Sequence, residues 1–336
     1  MRAVAFTEVG GPEVLRVVEL AAPEPGPGEV LIRVAYAGVN YGEVQHRLGD
    51  FGPPEGETVT GLEASGTVAA LGDGVTGLAV GDEVAAYLSD GGGYAEYATA
   101  PAPFVFPLAE PAELGGLDLR TAGAAPLVLT TAYGVLAGAG HLAAGETVLV
   151  HAAAGGVGSV AAQLARSLGA AAVYGTVSTK EKAEYASRFG YDEVFLRDGF
   201  PDAVRKATSG RGVDLILDPI GGPTRLASFE ALAPFGRVAV YGEAARHPDL
   251  HLPVLPVWKN NRALTGYNIG DLSRRDPETL RHHALAALGL VASGAVRIDI
   301  TAEYDLADAA EAQRELEAGR NKGKAVLRVG AERDGG

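Results

Sequence analysis

Residues Val148-Leu149-Val150-His151-Ala152-Ala153-Ala154-Gly155-Gly156-Val157-Gly158 pass from an apolar β-type run through a glycine-rich turn into an amphipathic helical pattern. A dinucleotide pyrophosphate needs strand, turn and helix in that order. The pattern is G-x-G-x-x-G with Ala153 at the first glycine. Gly155 would let the backbone approach the phosphates, and Gly158 would let the helix pack closely on the strand. Ala154, Gly155, Gly156 and Val157 are therefore the expected cofactor-facing residues. The helix N-terminus would add free N–H groups and a partial positive charge. By itself the motif also reads as a tight strand–helix connection without a ligand; the correct flanking elements favour the nucleotide. No Gly-Lys-Ser/Thr follows, so it is not a P-loop.

The choice of nicotinamide cofactor turns on the end of the next strand, Tyr174-Gly175-Thr176-Val177-Ser178-Thr179-Lys180-Glu181-Lys182. An NAD enzyme places Asp or Glu there to accept from the ribose 2′-OH. Here Ser178 stands in that place, with Lys180 and Lys182 nearby and Arg197 at the end of the third strand. A hydroxyl and cations suit a 2′-phosphate, which points to NADPH. The competing reading makes them solvated helix charges, some paired with Glu181 or Glu184.

These residues sit in a chain of ordinary globular composition, 336 residues with 47% hydrophobic and 21% charged, long enough for two domains. It has no cysteine, which excludes disulfides, thiolate catalysis and every Cys-based zinc or iron–sulfur site. A net charge of −14 argues against sequence-independent binding of DNA or RNA. No signal-peptide pattern and no run of about 18 apolar residues is present. The expectation is a cytoplasmic protein with no membrane or nucleic-acid partner. Residues 1–120 read as mostly β, with runs at Glu29–Val34 and Ser65–Ala69 separated by Gly/Pro turns. From about residue 124, β-runs at Thr147–His151, Ala172–Val177, Glu193–Leu196, Val213–Asp218 and Arg237–Gly242 alternate with helical patterns, implying a doubly wound parallel sheet. Two helices, at roughly 275–293 and 306–318, and a strand at Lys324–Val329 close the chain. The expected fold class is α/β. A β-rich catalytic domain is built from 1–123 and 269–336, with a nucleotide-binding domain at 124–268 inserted into it.

Taken together, several segments resemble the medium-chain dehydrogenase/reductase superfamily, and within it the zinc-free quinone oxidoreductase (zeta-crystallin-like) branch. They are Ala37-Gly38-Val39-Asn40-Tyr41, Gly61–Val68, Val80-Gly81-Asp82-Glu83-Val84, Leu129-Thr130-Thr131-Ala132-Tyr133, Ala152–Gly158, Gly175-Thr176-Val177-Ser178 and Asp218-Pro219-Ile220-Gly221-Gly222. They run in order over nearly the whole chain. The resemblance implies a GroES-like catalytic domain, a Rossmann domain, and a nicotinamide in the cleft between them. It would place Asn40 and Thr131 near the nicotinamide or its ribose, and Val240-Tyr241-Gly242 and Thr265-Gly266-Tyr267-Asn268 along the cofactor. Ser178, Lys182 and Arg197 fall where the family holds the 2′-phosphate. Many members pair through an edge strand of the Rossmann sheet, so a homodimer is expected.

The departures carry chemical weight. Zinc-dependent relatives have Cys where Asn40 stands and His where Leu62 stands, and the four-cysteine structural lobe is reduced to Ser89-Asp90-Gly91-Gly92-Gly93. No metal site is expected. Related quinone reductases carry Tyr at the positions of Gln45 and Arg197. Hydride delivered to an isolated ketone leaves an alkoxide that needs a Lewis acid or proton donor. In a quinone or enone the charge delocalises, and a few hydrogen bonds suffice. Asn40 and Tyr41 are the expected catalytic pair, with Tyr41 a proton donor or, equally, a packing residue. Gln45 and Tyr267 would shape the acceptor pocket, though packing suits the Tyr267 ring better.

Other features receive blander readings. Glu63 follows the pattern of the resembling family, or would only hydrogen-bond the backbone. His282-His283 reads as a solvated pair, because adjacent helical residues do not face one ligand, and His151 reads as a satisfied core imidazole. Lys322 and Lys324 would touch cofactor phosphates or flank the last strand. Three functions remain in play: a quinone reductase, an enone or enoyl-thioester reductase of a biosynthetic pathway, and a non-catalytic NADPH-binding protein.

Overall fold

A computed structural model describes residues 1–108, 116–247 and 251–330. The chain divides into two units: Met1–Val128, Pro277–Gly294 and Ile298 onward form the first, and Leu129–Asp276 with Ala295–Arg297 form the second.

The first unit is built on a long strand, Glu29–Val39, in which Val30, Ile32 and Val34 are buried while Arg33 between them is exposed. That alternation is the period-2 signature of a half-buried strand. Antiparallel neighbours Glu63–Leu71, Tyr97–Pro101 and Lys324–Arg328 pair with it. Ile300–Asp305 joins the last of these in parallel, and Glu83–Tyr87 and Val105–Pro107 complete the far edge. A small sheet of Arg16–Glu19, Arg2–Phe6 and Thr58–Val59 covers the core, which includes Phe6, Ile32, Val68, Leu88, Tyr94 and Leu327. This is the GroES-like part.

Six parallel strands make the second unit, in the order Glu193–Leu196, Ala172–Val177, Thr147–His151, Val213–Asp218, Leu232–Val240, Ala263–Gly266. Val213–Asp218 is buried at every residue, as expected for a parallel strand whose two faces are both covered. The strand order, 3-2-1-4-5-6 in chain sequence, is that of a Rossmann domain. Ala263–Gly266 is a strand that the pattern did not reveal; four residues, three of them exposed, carry no alternation. The Leu232–Val240 strand also starts five residues before the expected Arg237.

The unit boundaries differ from those read from sequence. Residues 124–128 stay with the first unit, where Leu127 N–H donates to Glu63 Oε2 at 2.8 Å. Residues 269–276 stay with the second, because Tyr267 N–H donates to Val240 O at 2.8 Å and Asn268 Oδ1 caps the helix Ile269–Arg275 through Asp271 N–H at 3.0 Å. Arg297 returns to it through reciprocal hydrogen bonds with Gln163, both 3.0 Å. Such polar ties leave no trace in hydrophobic periodicity.

Candidate active site

In the second unit the turn after Thr147–His151 is held by Ala152, whose φ of 53° is the left-handed conformation that non-glycine residues seldom adopt. Ala153 N–H donates to Thr176 O at 3.0 Å and Gly155 N–H to Ala152 O at 2.9 Å, which folds the chain back toward the strand. Gly155 then begins the twelve-residue helix Gly156–Ser167, and no side chain caps it. The first-turn N–H groups are thus left for a ligand. A Cβ on Gly158 would lie 2.7 Å from Ala153 Cα, so glycine is required for the close approach. Tyr191 Oη, buried, donates to Gly158 O at 2.7 Å and ties the third strand to this turn. Sequence reasoning missed Tyr191; nothing in its spacing marks it. Ala154 is buried, and Gly155, Gly156 and Val157 are half-buried. The turn fits a pyrophosphate.

Ser178, Lys182 and Arg197 gather at one edge of that sheet. Parallel register sets Val177 beside Leu196, and Arg197 N–H donates to Val177 O at 2.8 Å, so Ser178 and Arg197 leave the sheet as neighbours. Thr179 caps the next helix through Lys182 N–H at 3.2 Å, which places Lys182 in its first turn. Ser178 is exposed, and Lys182 and Arg197 are half-buried.

The carboxyl ends of the next strands are pinned by Asp218, which is fully buried. Its Oδ1 accepts from Ile220 and Gly221 N–H at 2.8 and 3.0 Å, and its Oδ2 from Arg225 Nε at 2.6 Å. Arg225 also bridges to Gly242 O at 2.8 Å and to Glu243. It therefore fixes the Tyr241-Gly242 segment expected along the cofactor, a role that sequence reasoning did not assign. Tyr241 is half-buried and burial pushes its hydroxyl well above the ordinary range. Thr131 is 7% exposed. Tyr267 packs over Gly134, and its hydroxyl reaches Thr130 O at 3.4 Å, which is the packing role. The Asn268 side chain is a helix cap. His151 bonds Thr176 Oγ1 at 2.7 Å and Ser228 Oγ at 2.9 Å, and burial lowers it to about 4, so it is a satisfied neutral core imidazole.

The first unit holds a buried charge cluster at the end of Glu29–Val39. Lys324, 3% exposed, donates to Val39 O at 3.1 Å, Asn40 Oδ1 at 2.6 Å and Glu63 Oε1 at 2.6 Å. All three ammonium protons are thereby used. Asn40 Nδ2 donates to Glu63 Oε1 at 3.0 Å and Glu43 Oε1 at 3.3 Å, and Leu62 N–H donates to Glu43 Oε1 at 3.0 Å. Burial raises the Glu43 carboxyl to about 7, against the pull of Lys324. Three expectations change here. Lys324 neither reaches outward for a phosphate nor merely flanks its strand, because it is enclosed. Glu63 does bind the backbone, at Leu127, but is also an ion-pair partner. Both amide N–H groups of Asn40 go to carboxylates, so it does not present them to an acceptor oxygen.

Tyr41 opens the helix Tyr41–Arg47 and is half-buried; Gln45, one turn on, is also half-buried and faces Asp50. The i, i+4 spacing puts the two on one helix face. Lys322 is half-buried, and its carbonyl accepts from Thr301 Oγ1. His282 is exposed, but His283 is buried in the helix Pro277–Ala292, which corrects the solvated reading: its position lies on the inward stripe with Leu280, Ala284 and Ala287. No group of three or more His, Asp or Glu suited to a metal occurs among the described residues, and no helix there is long and apolar enough to cross a membrane.

Residues 26–110 match the alcohol dehydrogenase GroES-like domain, and residues 156–287 match the zinc-binding dehydrogenase family. A quinone oxidoreductase of Pseudomonas aeruginosa is 34% identical over 96% of this chain and 98% of its own. The Escherichia coli quinone oxidoreductase complexed with NADPH superposes with a TM-score of 0.89 at 28% identity, over 98% of this chain and all of that one. A highly-reducing polyketide synthase of Aureobasidium melanogenum is 33% identical over 90% of this chain, which spans 14% of that protein.

Proposed function

This chain belongs to the quinone oxidoreductase family of the medium-chain dehydrogenase/reductases and is an oxidoreductase, and we propose that it reduces quinones or other conjugated carbonyls with NADPH and without zinc. The observation that carries this reading is the Lys324 ammonium, 2.6 Å from both Asn40 Oδ1 and Glu63 Oε1. A zinc-binding dehydrogenase would need thiolate, imidazole or carboxylate donors free to take a cation. Here the chain has no cysteine, and Asn40 Oδ1 and Glu63 Oε1 already share the Lys324 ammonium, so the residues do not fit zinc. Without a Lewis acid, an acceptor that spreads its own incoming charge is favoured.

NADPH fits the second unit. Its pyrophosphate would lie on the Ala154–Val157 turn, and its 2′-phosphate among Ser178, Lys182 and Arg197, where cations meet a dianion. When bound, the cofactor supplies the hydride. The protein's part is to hold the acceptor and to complete its protonation. We assign proton donation to the reduced oxygen to Tyr41, and the shaping of the acceptor site to Gln45 one turn on in the same helix. Likeness to the NADPH-bound Escherichia coli enzyme supports the cofactor assignment.

A second reading is reduction of an enone or enoyl thioester. The likeness to a highly-reducing polyketide synthase favours it, as does Gln45 in place of tyrosine. A homodimer is also part of the proposal. The exposed edge strand Ala263–Gly266, with Leu264, Trp258 and Leu255 all exposed, supports pairing through that edge.

Steady-state consumption of NADPH with naphthoquinone and with simple enones tests the reading, with metal content measured in parallel. Turnover that survives a chelator, in protein free of zinc, is expected. Stoichiometric zinc, or activity abolished by the chelator, overturns it; turnover of enones alone selects the second reading.

A further inference from the structure

We propose that Lys324 is a positioning residue for the acceptor side of the reaction: a fixed internal cation that, with Glu63, locks the junction from which Tyr41 and Gln45 project, while Glu43 carries the proton that keeps the cluster neutral. This rests on the function proposed above.

The geometry is specific to the junction. Lys324 binds the last carbonyl of the Glu29–Val39 strand and the side chain of Asn40, the residue between that strand and the helix Tyr41–Arg47. Asparagine at a helix N-cap normally accepts from the first turn. Asn40 does not; its oxygen turns instead to the ammonium and its nitrogen to two carboxylates. Remove the ammonium, and Val39 O and Asn40 Oδ1 lose the donor they share, while the Glu63 carboxylate keeps only the Asn40 amide and the Leu127 N–H and no cation. The junction then has no reason to keep its shape.

One ammonium and two carboxylates, all buried, leave an excess negative charge unless one acid holds a proton. The hydrogen bonds identify that acid. Glu63 uses both oxygens, taking Lys324 and Asn40 at Oε1 and Leu127 N–H at Oε2. Glu43 Oε2 is buried without a partner, as is the hydroxyl of Tyr94, which senses the Glu43 charge and lies by Gln313. The groups facing Glu43 are thus Lys324, Asn40, Glu63 and Tyr94, with Gln313 and its partner Arg47 behind them. The Lys324 ammonium is already shared with Glu63, and Arg47 is paired with Glu317, so the proton belongs on Glu43; its rise to about 7 agrees. An ionised Glu43 would place net negative charge behind the residues that meet a developing oxyanion.

The experiment compares wild type with Lys324→Met, the double variant Glu63→Gln/Lys324→Met and Glu43→Gln. Folding is checked by circular dichroism, and turnover and NADPH affinity are measured across pH. A misplaced acceptor site costs on the order of a hundredfold in kcat, with NADPH affinity unchanged. The double variant, which removes both charges together, is expected to fold and to remain slow. Wild-type kcat/KM is expected to fall above about pH 7 as Glu43 ionises, and Glu43→Gln is expected to lack that fall. Infrared spectroscopy should show a protonated carboxyl in wild type at pH 6 that Glu43→Gln lacks. A folded double variant within twofold of wild-type kcat overturns the proposal, and so does a wild type without that carboxyl band. If wild type reduces no conjugated acceptor, the proposed function fails, and the infrared result alone decides the buried proton.

Discussion

Gly38 lies against the Glu63 carboxylate: in the antiparallel register one step beyond Ala37–Ala64, a Cβ at position 38 would sit 2.6 Å from Glu63 Cδ. The missing side chain is the space that lets Glu63 lie across the strand and meet Lys324. Gly38→Ala should therefore move Glu63 rather than merely stiffen a strand. A loss of about 1–3 kcal/mol, the usual cost of overpacking, is expected in urea unfolding, together with a fall in kcat. A variant as stable and as active as wild type would show that the carboxylate has room to shift.

Lys182→Ala and Arg197→Ala test the 2′-phosphate assignment. If the proposed assignment holds, each removes a charge-assisted partner of a group that NADH lacks, so each should weaken NADPH by on the order of tenfold and leave NADH nearly unchanged. Calorimetric titration of both nucleotides reads the difference. Equal losses for both would mean that the cations only stabilise the helix and sheet edge.

Two buried groups should give opposite pH dependences of stability. His151 is lowered to about 4 by burial, so between about 4 and 6.5 the unfolded chain binds the extra proton and stability rises with pH. Glu43 is raised to about 7 by burial, so between about 4.5 and 7 the folded chain binds the extra proton and stability falls as pH rises. Each effect amounts to as much as about 3 kcal/mol. Thermal unfolding of Glu43→Gln should then lose the falling component of the wild-type pH profile, and His151→Asn the rising one. Two variants with the same slope would contradict the assignment.

Leu264→Glu tests the edge strand. Leu264 is 45% exposed on Ala263–Gly266, and a symmetric pairing there would bring two new carboxylates together. Light scattering should report a dimer for wild type and a monomer for the variant, with NADPH binding retained. A variant that stays dimeric would move the interface elsewhere.

What was legible in sequence follows from where physics is local. Strands such as Thr147–His151 and Ala172–Val177 were readable residue by residue, because a buried parallel strand is a short apolar run between turn signals. Gly158 and Asn40 stood out by type and position. The Ala263–Gly266 strand was not readable, since a short exposed edge has no alternation, and its pairing with Leu232–Val240 supplies the order that its own residues do not.

The sequence by itself determined the Rossmann motif, the cations at the second strand's end and the absence of any cysteine ligand, because each depends on residues close together in the chain or on composition. Only the tertiary structure decided what Lys324, Glu63, Glu43 and Asn40 do. Lys324 is 284 residues from Asn40, and no periodicity relates them. A buried ammonium needs compensating acceptors, and three oxygens converge on this one because the strand Lys324–Arg328 pairs with the end of Glu29–Val39.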